Sequence, residues 1–112
     1  MRIYISGPIS NNPNFIFDFI SAETMLRRRG YETINPGRLC MVAHGLTHKQ
    51  YMKICMKLLR FADGIYMLDG FERSEGAMRE YNRAHLLPNI RLIWRESDGL
   101  PPKIYDKKIQ EE

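Results

Sequence analysis

The sequence predicts a single small α/β domain of the Rossmann-like type, in which a parallel sheet of four or five strands carries helices on both faces. Short β-prone runs alternate with longer amphipathic segments, and the 112 residues, 44% of them hydrophobic, fit one ordinary domain. This alternation favours a parallel sheet, because the chain must cross back over the sheet before each new parallel strand begins.

The first two predicted elements are a strand and a helix. The strand covers residues 2–6 and stops at Gly7-Pro8. The helix begins at Asn12-Pro13, because asparagine caps a helix and proline suits its first turn, and it ends at Gly30. Its core-facing residues repeat at helical spacing: Phe15, Phe19, Ala22 and Leu26.

The sequence pattern in the middle of the chain predicts a second strand, a loop, a helix and a third strand. The second strand covers residues 31–34, and residues 38–47, which lack a clear period, are predicted as a loop. Thr47 or a neighbour caps a helix that runs to about Arg60. The apolar run at residues 64–68 is typical of a strand covered on both faces.

The last predicted elements are a helix and a strand. Ser74 is the expected cap of a helix that runs to about Leu87, and residues 90–93 form the fourth strand. We therefore place the domain at residues 1–95. The polar residues 96–112 are predicted to be a C-terminal tail that packs loosely or on a neighbouring subunit.

The composition narrows the class of protein. The net charge of +4 permits an anionic ligand, but no stretch combines clustered lysine and arginine with aromatic residues, so nucleic acid is not the expected partner. The chain shows no apolar run long enough to cross a membrane and no secretory signal, so we expect a soluble, cytoplasmic protein. Cys40 and Cys55 are expected to be reduced thiols, and no histidine has cysteine neighbours at zinc spacing, so no metal is expected.

Ligands of parallel sheets bind beyond the carboxyl ends of the strands. This rule selects three segments: residues 6–12, residues 35–47, and residues 69–74 together with the helix that follows. Residues 6–12 enter a helix N-terminus and could hold a phosphate, although Gly7 and Pro8 are also what an ordinary turn requires. His44 could contact a substrate from the middle loop, or it could simply be solvated.

Glu80 is the strongest candidate for chemistry. Gly76 and Glu80 are four residues apart and share a helix face, so the missing side chain at Gly76 is expected to leave open space above the carboxylate. A carboxylate in that position could attack a sugar carbon. The alternative is that Glu80 pairs with Arg73, Arg79 or Arg83 on an exposed helix surface.

Several segments together resemble the nucleoside 2-deoxyribosyltransferase-like family, which includes the 2′-deoxynucleoside 5′-phosphate N-hydrolases. The similarity extends to about Ile93 and rests on Tyr4-Ile5-Ser6-Gly7-Pro8-Ile9, Asn35-Pro36, the helix near Tyr51-Met52 and the run from Ala62-Asp63 to Glu80. Its most specific element is a serine, a glycine and a glutamate at relative positions 0, 2 and 6, here Ser74, Gly76 and Glu80.

The resemblance implies cleavage or transfer at an N-glycosidic bond without a metal or cofactor. Glu80 would be the nucleophile, the hydroxyl of Tyr4 would lie beside it, and a homodimer or larger homo-oligomer would complete the site. The substrate would be a 2′-deoxynucleoside or its 5′-monophosphate. The residues expected to bind it are Ser6, Gly7, Pro8, Ile9, Ser10, His44, Gly70, Ser74 and Gly76.

One position departs from the family pattern. Eight residues before Asp63, where family members usually carry an aspartate, this chain has Cys55. A thiol lacks the charge and the acceptor oxygens of a carboxylate. Either Asp69 takes over part of that work as a third catalytic residue, or the protein binds nucleotides without turning them over.

Overall fold

A computed structural model, which describes residues 1–104, confirms the α/β class with one sheet of four parallel strands in the order β2-β1-β3-β4. The strands are β1 (Arg2–Ser6), β2 (Glu32–Ile34), β3 (Gly64–Met67) and β4 (Leu92–Arg95). The helices are α1 (Phe15–Arg28), α2 (Gly37–Val42), α3 (His48–Leu59) and α4 (Glu75–Ala84), with 3-10 turns at Phe71–Arg73 and Glu96–Asp98.

The sheet separates two cores, as the alternation of side chains along a strand requires. In β1, Ile3 and Ile5 pack with the apolar face of α1, whereas Tyr4 belongs to the core under α3 and α4. The predicted stripe of α1 is confirmed, since Phe19, Ala22 and Leu26 are buried and Phe15 is half-buried against the same core. Helices therefore cover both faces, as predicted.

The start of α1 differs from the prediction. The helix begins at Phe15, because the side chain of Asn12 stabilises the turn before it instead of capping the helix. Its amide donates to the carbonyl of Pro8 at 3.0 Å, and its oxygen accepts from the backbone N–H of Asn14 at 3.1 Å. The predicted end is confirmed, because Gly30 adopts a left-handed φ of 97° directly after the helix.

The predicted loop at residues 38–47 is wrong in its first part, since α2 forms there. The side chain of Asn35 accepts from the backbone N–H of Gly37 at 3.0 Å, and Arg38 reaches back to Glu23 of α1 at 3.0 Å. A Cβ on Gly37 would lie 3.1 Å from the ring of Phe19. The contacts with Glu23 and Phe19 are tertiary, so the local sequence carries no period that indicates this helix.

The last two elements are also displaced from their predicted bounds. α4 ends at Ala84 and β4 begins at Leu92, because the side chain of Asn89 holds the intervening turn. Its amide donates to three carbonyls at the end of α3, and the closest contact, to Ala62, is 2.8 Å.

Part of the predicted tail packs on its own chain. Pro101 is buried, the hydroxyl of Tyr31 donates to the carbonyl of Pro102 at 2.6 Å, and the N–H of Ile104 donates to the carbonyl of Arg29 at 2.6 Å. The remaining predicted tail, residues 105–112, lies outside the described residues. Among residues 1–104, no helix combines the length and the apolar character needed to span a bilayer.

Candidate active site

Glu80 lies in the middle of α4, whose start is determined by Ser74. The hydroxyl of Ser74 accepts from the backbone N–H of Ala77 at 3.2 Å, so the predicted cap is confirmed. This start turns Ala77, Glu80 and Ala84 towards the sheet, and Glu80 is only 6% exposed. The alternative of an exposed ion pair is therefore wrong for Glu80.

Two side chains of β1 hold the Glu80 carboxylate. Tyr4 and Ser6 are two residues apart and so point to the same face of the sheet. The Tyr4 hydroxyl donates a hydrogen bond to Oε2 of Glu80, and the Ser6 hydroxyl donates to Oε1 at 2.8 Å. Each carboxylate oxygen thus has one hydroxyl donor, and both donors come from β1, a central strand of the sheet.

The surroundings of Glu80 disfavour the ionised form of its carboxyl group. Burial raises its pKa from the ordinary value of 4.5 to about 7, against the opposing effect of the hydrogen bonds from Tyr4 and Ser6. Among the described residues, no arginine or lysine forms an ion pair with it. Near neutral pH, Glu80 is therefore poised between its two protonation states.

Cys55 lies on the buried face of α3 and packs in the same core as Tyr4. Its thiol interacts with the hydroxyl of Tyr4, and its side chain is 1% exposed. Burial raises the pKa of the thiol to about 11, so Cys55 is a neutral S–H group at neutral pH. The position that would carry an aspartate in the resembled family holds no negative charge here.

A cavity of about 990 Å³ opens above Glu80 at the carboxyl ends of β1 and β3. It brings together most of the residues predicted from the sequence: Gly7, Pro8, Ile9, Ser10, Asp69, Gly70, Ser74, Gly76 and Glu80. Tyr4 and Ser6 do not line it, because they lie behind the Glu80 carboxylate. Cys40, Ala43 and Leu46 of the segment 35–47 also line it, so the three segments selected by the sheet rule converge at one place.

Two sequence predictions about this cavity need correction. His44 is exposed and does not line the cavity, since α2 places it on the outer surface. The space expected above Gly76 is partly occupied, because a Cβ there would lie 3.2 Å from Sδ of Met52 and 3.4 Å from Cε1 of His48. Gly76 thus also permits close packing of α3 on α4.

Asp69 lies on the cavity wall but outside the Glu80 cluster. It is exposed, and among the described residues its carboxylate has no hydrogen bond to Tyr4, Ser6 or Glu80. Its neighbour Gly70, at a left-handed φ of 86°, turns the chain so that Pro8 and Arg73 lie close by. Asp69 therefore stands beside the loop that follows β1.

Among the lining residues that sequence reasoning missed, four come from α3 and from the turn before α4. They are Arg73, His48, Tyr51 and Met52. Arg73 directly precedes the Ser74 cap, so its position next to a helix N-terminus was a usable signal. The Thr47 cap predicts that His48 begins α3, but only the packing of α3 against Gly76 places His48, and not His44, on the cavity wall. Within residues 1–104, no three side chains of the metal-binding types cluster.

Comparisons with known proteins agree with this fold. A family model described as a domain of unknown function, DUF4406, matches residues 1–90. A solved structure, described as a 2-deoxyribosyltransferase from the psychrotolerant bacterium Bacillus psychrosaccharolyticus, superimposes with a TM-score of 0.63. The two chains share 17% sequence identity, and the match covers 97% of this chain and 79% of the other. A search of curated proteins found no match.

Proposed function

Because this chain belongs to the DUF4406 family, whose description assigns no function, we propose an activity from its own site: cleavage or transfer at the N-glycosidic bond of 2′-deoxynucleosides or their 5′-monophosphates. The observation that carries the proposal is the buried Glu80 carboxylate, held by Tyr4 and Ser6 at the base of an open cavity. The 2-deoxyribosyltransferase with the same fold makes this substrate class the first to test.

The proposed reaction has two steps. The Glu80 carboxylate forms a bond to the anomeric carbon while the C1′–N bond breaks and its electron pair leaves with the base. The anion also stabilises the positive charge that develops on the sugar. Water or a second base then attacks the same carbon of the glycosyl ester, and the Glu80 carboxylate is regenerated.

The remaining residues of the cavity have proposed binding roles. The loop Gly7–Ser10 and the N-terminal turn of α4 offer hydroxyls and backbone N–H groups for the sugar or a 5′-phosphate. Asp69 stands beside that loop and can accept a hydrogen bond from a sugar hydroxyl, which is part of the work that Cys55 cannot perform. Tyr4 and Ser6 keep the carboxylate in one orientation.

The test is release of free base from a panel of deoxynucleosides and deoxynucleoside monophosphates, measured by chromatography. The wild-type protein should release base, and Glu80→Gln should lower the rate to background, because an amide cannot form the ester. Glu32→Gln, an exposed change on β2, should retain the wild-type rate. Equal activity of Glu80→Gln and wild type would exclude Glu80 as the nucleophile.

A covalent adduct provides a second, direct measurement. A 2-fluoro analogue slows hydrolysis of the glycosyl ester, so mass spectrometry should find the sugar on the peptide that contains Glu80. An adduct on any other residue would contradict the mechanism.

A second candidate function is favoured by Cys55, the protonated thiol beside Tyr4. In this reading the protein binds nucleotides without turning them over, as a sensor or a sequestering factor. It predicts saturable nucleotide binding by calorimetry with no product, and a gain of base release in Cys55→Asp. Absence of nucleotide binding would exclude it. In either reading we expect a homodimer or larger homo-oligomer, which sedimentation can measure.

A further inference from the structure

His48 is the first residue of α3 and lines the cavity across from α4. Its Cε1 lies 3.4 Å from the point where a Cβ on Gly76 would stand. Gly76 is one helical turn before Glu80 on the same face, and residues so spaced have Cβ positions about 5–6 Å apart. The imidazole and the Glu80 carboxylate therefore line the same cavity, one from each helix.

The position of His48 is fixed by its helix. Thr47 and Gln50 form a reciprocal capping box, in which the backbone N–H of Gln50 donates to Oγ1 of Thr47 at 3.1 Å and that of Thr47 donates to Oε1 of Gln50 at 2.9 Å. Met52, one turn further along, packs against the same point above Gly76 at 3.2 Å. A capped and packed first turn places His48 at the cavity wall, where its side chain is exposed to a ligand.

The ring nitrogens of His48 are available to a ligand. In the part of the chain that the structure describes, neither nitrogen has a hydrogen-bond partner, whereas the ring of His85 bonds to the carbonyl of Tyr81 at 2.8 Å. Histidine is also the side chain whose unperturbed charge changes between pH 5 and 8, which suits a group that both gives and takes a proton.

We propose that His48 is a further catalytic residue, which donates a proton to the departing base and then accepts one from the attacking water. The proposal rests on the N-glycosidic reaction proposed above. In the first step the C1′–N electron pair goes to the base, whose ring nitrogen takes the proton of the His48 imidazolium. In the second, neutral His48 removes a proton from water as its oxygen bonds to C1′, and the Glu80 carboxylate leaves.

The other titratable groups that face this space are less suited to the role. They are Cys40, Tyr51, Asp69, Arg73, Glu75 and Glu80. The hydroxyl of Tyr51 donates a hydrogen bond to the carbonyl of Pro36 at 2.9 Å, and Glu75 is paired with Arg79 at 3.0 Å. The guanidinium of Arg73 does not give up a proton. Asp69 is assigned above to a sugar hydroxyl, and Glu80 is the nucleophile. The Cys40 thiol lies against the hydroxyl of Tyr51.

The first test is the dependence of kcat/KM on pH. An ionised Glu80 and a protonated His48 together give a bell-shaped profile for the wild type. His48→Gln should lose the fall at high pH, so that its rate rises to a plateau, while His85→Gln, at the far end of α4, should keep the bell. A bell that persists in His48→Gln, or that is lost in His44→Gln instead, overturns the proposal.

The second test changes the leaving group. With the purine substrate that is cleaved fastest, His48→Gln should lose about a hundredfold in kcat/KM, the scale of general acid catalysis. With the N7-methylated form of the same substrate, whose base already carries positive charge, the loss should be less than about threefold, because no proton is needed. Equal losses on both substrates would show that His48 only supports structure or binding. A wild type that cleaves neither substrate overturns the proposed function itself, and this role with it.

Discussion

Glu23 and Glu80 show how two buried glutamates acquire opposite properties. Glu23, on α1, is buried beneath Arg38. The hydrogen bond from Arg38 lowers the pKa of the Glu23 carboxyl, and Asn35 and Arg27 lower it further. Glu80 has hydroxyl donors but, within residues 1–104, no cationic partner, and burial raises its pKa to about 7. The first glutamate attaches α2 to α1, and the second is left reactive. Residue type alone predicts neither outcome.

The raised pKa of Glu80 predicts how stability depends on pH. The folded protein binds this proton more tightly than the unfolded chain does, so the resulting stabilisation is full below pH 4.5 and is lost as the pH rises through about 7. The loss approaches about 3 kcal/mol. Chemical unfolding of the wild type and Glu80→Gln at pH 5 and pH 8 measures it.

The variant should lack this component, since glutamine does not ionise. The difference in free energy of unfolding between pH 5 and pH 8 should therefore be more positive for the wild type than for Glu80→Gln. Glu32→Gln, whose carboxylate is exposed, controls for general effects of charge removal. An identical pH dependence in wild type and Glu80→Gln would show that burial of Glu80 does not perturb its ionisation.

At the scale of elements, caps determine which side chains reach the cavity. Ser74 starts α4 so that Glu80 faces the sheet, and Thr47 starts α3 so that His48 faces the cavity. The caps are visible in the sequence, and both were predicted. α2 was missed because its supports, Glu23 and Phe19, belong to another helix.

Asn89 provides a test of an element junction. Its amide donates to three carbonyls, of Leu59, Arg60 and Ala62, at the end of α3. Asn89→Ala should lower the free energy of unfolding by about 1–2 kcal/mol, because backbone acceptors lose their partner. The measurement is urea denaturation.

A control separates this junction from the site. Asn82→Ala, at an exposed position of α4, should change the free energy of unfolding by less than about 0.5 kcal/mol. Both variants should retain the proposed release of base, because neither Asn82 nor Asn89 lines the cavity. If Asn89→Ala unfolded no more easily than Asn82→Ala, the side chain would not be the stabilising contact proposed here.

At the scale of the whole molecule, the strand order places the cavity. β2 lies on one side of β1, and β3 and β4 lie on the other, so the chain changes direction between β1 and β3. Connections on either side of such a switch point leave a crevice at the carboxyl ends of the strands. The cavity above Glu80 occupies that crevice and draws lining residues from the segments after both strands.

The charge of the whole molecule predicts weak binding to nucleic acid. The excess of +4 is dispersed, and within residues 1–104 several arginines are paired with carboxylates: Arg2, Arg27, Arg38, Arg79, Arg91 and Arg95. Anisotropy of labelled DNA or RNA at about 150 mM salt should show no saturation below about 10 μM protein. Tighter binding that weakens steeply with added salt would instead identify a nucleic-acid surface.

The sequence by itself determined the fold class, because alternating apolar patterns and caps are local properties. It also determined that Ser74, Gly76 and Glu80 belong to one helix start, since their spacing is a helical one. The ends of helices and strands were less predictable. Asn12 stabilises the turn before α1 and does not cap the helix. The turn held by Asn89 makes β4 begin later along the chain than predicted.

Only the tertiary structure decided what surrounds Glu80. Tyr4 and Ser6 are more than seventy residues away along the chain, and they reach its carboxylate because β1 lies at the centre of the sheet. That His48, and not His44, lines the cavity likewise depends on how α3 packs against Gly76. Local patterns record which face of an element is buried, whereas the partners on that face follow from the arrangement of the whole chain.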